Sequence, residues 1–176
     1  MEDAHTHILS LPEDKSCAFL AVYDGHGGAK VAQYSCKYLH TRIANQPDFS
    51  MCFCERKRWA DHDVCVYWLE QGDIESALRK GFIDFDREMA SDEEMREDLA
   101  GTTAICVVIK DNQLFCGNVG DSRAIASVNG NVELLSTDHK PNNDDERKRI
   151  TAAGGWVEFN RVNGKHFSLV CFFLRT

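Results

Sequence analysis

The chain has 176 residues, 43% of them hydrophobic and 27% charged, which suits a single globular domain with one core. Its formal net charge is −8, and Lys and Arg are dispersed except at Arg56-Lys57-Arg58 and Arg147-Lys148-Arg149; no basic face is offered to nucleic acid. The longest apolar run, Leu169 to Leu174, is far too short to span a bilayer.

Taken in chain order, His5 to Leu11 and Cys17 to Tyr23 predict two strands joined by the polar turn Pro12-Glu13-Asp14-Lys15. Gly27 and Gly28 open a predicted helix whose apolar positions are Val31, Tyr34, Tyr38, Leu39 and Ile43. A second helix begins after Asp73, a suitable N-cap, and carries Ile74, Leu78, Phe82, Phe85 and Met89 on one face. Strands follow at Thr102 to Lys110 and Gln113 to Asn118, turning at Asp111-Asn112. Ala124 to Val128 and Val132 to Leu135 flank Asn129-Gly130-Asn131, a hairpin signal. A short helix from about Asp144 to Ala153 stops at Gly154-Gly155. Hairpins interspersed with paired helices point to an α+β or layered α/β/β/α domain rather than a βαβ array.

Two stretches differ from their surroundings. Met51 to Gln71 separates the two helices and shows no period, and residues 165–176 form an apolar tail. Each breaks off abruptly from its flank, as translated intron or alternative-exon sequence would. Cys52, Cys54, His62 and Cys65 admit a zinc reading, but Cys-x-Cys is tighter than the usual spacing; the competing reading is an unstructured insertion. The eight cysteines are read as thiols of a cytoplasmic or nuclear protein. Cys17, Cys106 and Cys116 lie in apolar strands, and the N-terminus has Glu2, Asp3, His5 and His7 where a secretory signal would need an apolar run.

The segment that carries chemistry is Val22-Tyr23-Asp24-Gly25-His26-Gly27-Gly28. An apolar strand delivers Asp24 to its end. Hard divalent cations take oxygen ligands, and one carboxylate can bridge two ions. A glycine beside it lets a backbone carbonyl approach a metal without a side chain in the way; the competing reading is an ordinary strand-to-helix turn. If residues 5–11 and 17–23 form a hairpin, Glu2 and Asp3 lie beside Asp24 and three carboxylates converge. Gly117-Asn118-Val119-Gly120-Asp121 places another Asp at a strand end. His5 and His7 share a strand face and are read as exposed. His139 to Pro141 is read as structural, and Arg147-Lys148-Arg149 as a solvated helix face.

The ordered blocks MEDAHT, VYDGHGG, GTTAICVVI, GNVGDSRAI, LSTDHKP and ERKRITAAGG resemble the PPM family of metal-dependent protein serine/threonine phosphatases, the type 2C enzymes, over residues 1–49 and 72–164. The resemblance implies an antiparallel β-sandwich flanked by helix pairs, with a binuclear Mg²⁺ or Mn²⁺ centre at one edge. It implies that Asp24 bridges the ions, the Gly25 carbonyl and Glu2 are ligands, and Asp3 holds metal-bound waters. His26 would protonate the leaving oxygen, and Asp121 would serve an accessory ion. The expected substrates are proteins carrying phosphoserine or phosphothreonine.

Against the family pattern, the Arg that grips phosphate and the later Asp-containing motifs have no counterpart in these 176 residues. The expectation is therefore the N-terminal part of such a domain (1–164, with the 51–71 insertion and the 165–176 tail), a sandwich incomplete at its C-terminal end. One weakly held ion and impaired turnover are expected. The alternative is a catalytically inactive module that binds metal or phosphoprotein and competes with the full-length enzyme. The sequence leaves the oligomeric state open.

Overall fold

A computed structural model describes residues 1–49, the backbone of 52–59 and 62–69, and residues 72–163. Strands β1 (Ala4–Ile8) and β2 (Ala18–Tyr23) pair antiparallel, with Ala4 opposite Tyr23 and Ile8 opposite Phe19. The first strand stops three residues short of the expected Leu11 because the chain turns inward there. Leu11 is wholly buried and donates its N–H to the Cys17 carbonyl (2.9 Å), while the Cys17 N–H reaches the Asp14 carbonyl (3.1 Å).

After the two-residue strand β3 (Gly25–His26), helix α1 (Lys30–Ala44) buries Val31, Leu39 and Ile43 at the expected spacing. Tyr38 departs from that pattern: it is 40% exposed and tilts against Tyr34, with ring centroids 4.7 Å apart. Ala32 and Ser35 occupy the buried face instead, since small residues let α1 lie close to the sheet. A short 3₁₀ turn, Pro47–Phe49, buries Phe49. The stretch read as an unstructured insertion instead forms β4 (Cys52–Trp59) and β5 (His62–Leu69), paired as a separate antiparallel ladder. The zinc reading of Cys52, Cys54, His62 and Cys65 concerns side chains outside the described residues, as does the tail at 165–176.

Helix α2 (Ile74–Ser91) starts as expected, the Asp73 carboxylate accepting the Ser76 N–H at 2.8 Å. It buries Ile74, Leu78, Phe82 and Phe85, and a single turn, α3 (Glu93–Arg96), follows. The chain then enters β6 (Gly101–Thr102), β7 (Ala104–Lys110) and β8 (Gln113–Val119). Asp111 and Asn112 turn β7 into β8 with φ of 50° and 62°, the paired left-handed residues that a tight hairpin needs. The Asn129-Gly130 signal is matched by the hairpin β9 (Ile125–Val128) and β10 (Asn131–Leu134). Helix α4 (Asp144–Ala152) ends at Gly154, φ 84°. A last hairpin, β11 (Trp156–Glu158) and β12 (Arg161–Asn163), turns on Phe159 and Asn160 at φ 49° and 61°. It was not expected, because phenylalanine carries no turn signal.

Four strands form one antiparallel sheet in the order β1-β2-β7-β8. Alternate residues Phe19, Ala21 and Tyr23 of β2 and Cys106 and Val108 of β7 meet Leu39, Ile43, Leu78 and Phe82 of the helices in a single core. Burial of this face is the main force holding α1 and α2 to the sheet. The architecture is α+β with antiparallel sheet, as expected. Among the described residues the other strands lie in two-stranded ladders.

Candidate active site

The site is assembled where β2 leaves the sheet. Tyr23, wholly buried, anchors the last turn of β2, and Thr6 lies behind it: the Thr6 hydroxyl donates to the Cys36 carbonyl (2.9 Å) and sits 3.4 Å from the Tyr23 hydroxyl. The next residue, Asp24, is thereby delivered to the sheet edge with its side chain exposed. The β1–β2 register, continued past Ala4↔Tyr23, sets Asp3 against Asp24 at the first step and Glu2 against Gly25 at the second. Gly25 is pressed onto the first segment. A Cβ built there would lie 3.0 Å from the Glu2 carbonyl carbon and nearer still to its oxygen, so a larger residue would force the two chain ends apart.

The predicted hairpin thus brings the backbones of Glu2, Asp3, Asp24 and Gly25 together, but the side-chain ends do not converge. Among the described residues no group of three or more His, Cys, Asp or Glu side chains is placed to hold a metal ion. The three carboxylates are exposed, and like charges gain nothing by meeting in water. Their donor type and the Gly25 cradle suit a hard cation; their present arrangement is not a finished coordination shell.

Asp121 comes to the site by a different route. The expected strand from Thr102 breaks at Thr103, which turns its polar groups to Asp24. The Thr103 N–H donates to the Asp24 carbonyl (2.9 Å), and the Asp24 N–H donates to Thr103 Oγ1 (3.3 Å). The same hydroxyl lies 2.6 Å from Ser122 Oγ. Gly120 is seated on Thr103, its missing Cβ leaving room 2.8 Å from Thr103 Cβ. Thr103 therefore ties Asp24 to the turn that carries Asp121. Neither Thr103 nor Ser122 was singled out from the sequence. The available signal was a hydroxyl at the foot of an apolar strand, inside a block already matched as GTTAICVVI.

That turn is braced from below. Asn118, wholly buried, donates through Nδ2 to the carbonyls of Gly120 (3.2 Å) and Thr137 (2.9 Å). His139 takes the Gly120 N–H on its ring Nδ1 (3.3 Å), and its backbone N–H donates to the Gly120 carbonyl (2.9 Å). Burial pushes the His139 imidazole below the ordinary histidine range, which suits the neutral, accepting form and the structural reading. Arg123 grips Asp138 with two bonds of 2.9 and 2.8 Å, and Lys140 adds a second cation at 3.0 Å. The Arg123 bond, aided by Lys140 and opposed by burial, holds Asp138 at about 2.

His26 is exposed and stands opposite Gly101 in the β3–β6 pair. His5 and His7 share a face as expected, their rings stacked 6.0 Å apart and exposed. Burial pushes Cys17 and Cys116 up to about 11, and Cys106 further. None of these three is a ready thiolate nucleophile.

The family model described as Protein phosphatase 2C matches residues 1–169. The chain belongs to the protein phosphatase 2C family. It is 51% identical over 164 residues to a Caenorhabditis elegans protein named "Probable protein phosphatase 2C", covering 93% of this chain and 40% of that one. Identity is 41% over 169 residues to protein phosphatase 2C homolog 2 of Schizosaccharomyces pombe, and 38% over 167 residues to human protein phosphatase 1A, with the same two coverages. The chain thus spans about two fifths of the length of these relatives. Its fold is also that of a serine-threonine phosphatase 2C from Toxoplasma gondii, with a TM-score of 0.65, 24% identity, and coverage of 92% of this chain and 54% of that one. The protein phosphatase 2C family is metal-dependent.

Proposed function

We propose that this chain carries the β1–β2 metal-holding part of a protein serine/threonine phosphatase site, acting on proteins that bear phosphoserine or phosphothreonine. The observation that carries this reading is the seating of Gly25 against Glu2, beside exposed Asp3 and Asp24, in a chain of the protein phosphatase 2C family. In it, Glu2, Asp24 and the Gly25 carbonyl hold Mg²⁺ or Mn²⁺, Asp3 orients water beside them, and Asp121 serves an accessory position. A bound divalent cation supplies charge to neutralise phosphate and lowers the pKa of a coordinated water. Thr103 keeps the Asp24 backbone in place through its two hydrogen bonds. His26, exposed next to Asp24 and Gly25, gives a proton to the departing serine or threonine oxygen; imidazole is the side chain suited to that near neutral pH.

A manganese-supplemented assay of the 176-residue chain on a phosphothreonine peptide tests this. Slow turnover that vanishes in Asp24→Asn supports it, and turnover unchanged in Asp24→Asn contradicts it. The carboxylate ends that do not meet favour one second reading, a phosphoprotein-binding module without turnover. Peptide binding that persists with no phosphate released selects that reading.

A further inference from the structure

His26 and Gly101 face one another across the short antiparallel pair β3–β6. Directly opposed residues in such a pair hold their Cβ atoms about 5 Å apart, so an aromatic ring on one strand can fold across a glycine on the other. A Cβ built at Gly101 would lie 2.7 Å from His26 Cε1 and 3.4 Å from Cδ2, and nearest of all to Nε2. The space that a side chain at 101 would fill is occupied by the Nε2 corner of the imidazole.

Gly101 is not among the glycines with positive φ. It is therefore a glycine for what it leaves out, not for its backbone freedom. All three atoms nearest the missing Cβ belong to the His26 ring. An added methyl at 101 would have to move the ring; it need not move the sheet.

We propose that Gly101 is a positioning residue: it seats the His26 imidazole and fixes where that side chain stands beside Asp24. The functional weight of the seat rests on the phosphatase reading above, in which His26 is the proton donor, whereas the seat itself is a matter of geometry.

Two measurements on the 176-residue chain test the seat without using turnover. In ¹⁵N/¹³C NMR spectra the His26 Hε1 proton should show an NOE to the Gly101 Hα protons, and this contact should be lost in Gly101→Ala while the core methyl resonances keep their positions. Thermal unfolding of Gly101→Ala in two backgrounds supplies the second readout. Replacing glycine by alanine at an ordinary φ normally stabilises by narrowing the unfolded ensemble. Gly101→Ala should therefore lower Tm when His26 is present and raise it in a His26→Ala background, a reversal that signals direct coupling of the pair. A Tm change of the same sign in both backgrounds, or an NOE that survives Gly101→Ala, would overturn the proposal. Failure of the peptide assay would remove the phosphatase reading and leave these two results intact.

Discussion

Gly25 and Thr103 show how little the site tolerates at single positions. In Gly25→Ala the new methyl meets the Glu2 backbone, so the β1 end must lift away from β2. The expected result is a lower Tm together with loss of Mn²⁺ binding, read by calorimetry. Unchanged Mn²⁺ affinity in Gly25→Ala would show that the Glu2 segment is no part of the site. Thr103→Val keeps the shape and removes the hydroxyl shared by the Asp24 N–H and Ser122. It should cost about 1 kcal/mol in urea unfolding, and Thr103→Ser should recover most of that. The place of Asp24 and Gly25 at the end of β2 was legible because an Asp-Gly step closes an apolar run, while the ligand roles expected of them came from the family resemblance. Thr103 was not, because its partners Asp24 and Ser122 are 79 and 19 residues away and nothing local marks a hydroxyl as spoken for.

The elements that sequence reading placed correctly are those whose signals are local. The Asp73 cap, the Asp111-Asn112 and Asn129-Gly130 turns and the strand β2 each follow from a few consecutive residues. The β11–β12 hairpin turns on Phe159 and Asn160, of which only the asparagine has a turn preference, and Tyr38 is set outward by its packing on Tyr34; both are tertiary outcomes. A long-range tie of the same kind joins the β1–β2 loop to the end of β7. Lys110 pairs with Asp14 at 2.8 Å, the two side chains being 13% and 20% exposed. The Lys110 bond, with Ser16 assisting, holds the Asp14 carboxyl at about 2 against an ordinary 3.8. A lowered carboxylate pKa stabilises the fold above the unfolded value, and that stability is lost as pH falls from 3.8 through about 2. The shift corresponds to roughly 2 kcal/mol at neutral pH. Asp14→Asn should therefore destabilise the chain at pH 7 and do so much less at pH 2, as read by denaturant titration at each pH. Equal destabilisation at both pH values would contradict the ion pair's role.

At the scale of the whole molecule, among the described residues, the helix-covered face of the sheet is packed and so are Ile105, Cys116 and Asn118 on the opposite face, whereas Val22 and the β9–β10 hairpin leave apolar side chains uncovered. Val22 is 51% exposed, and Ile125, Val132 and Leu134 are 58%, 68% and 52% exposed. β1 and β8 are the two edges of the four-stranded sheet. Open edges and uncovered apolar side chains favour association, so the 176-residue chain should sediment as a concentration-dependent mixture and unfold over a broad range. A monomer at every concentration with a sharp transition would contradict this. The central claim is that the β1–β2 end holds a divalent cation, and calorimetric titration of the chain and of Asp24→Asn with Mn²⁺ tests it most directly. One weak site is predicted, with Kd about 10⁻⁴ to 10⁻³ M as in low-charge carboxylate sites, and no binding in Asp24→Asn. Binding that survives Asp24→Asn unchanged, or no binding by the chain itself, would contradict it.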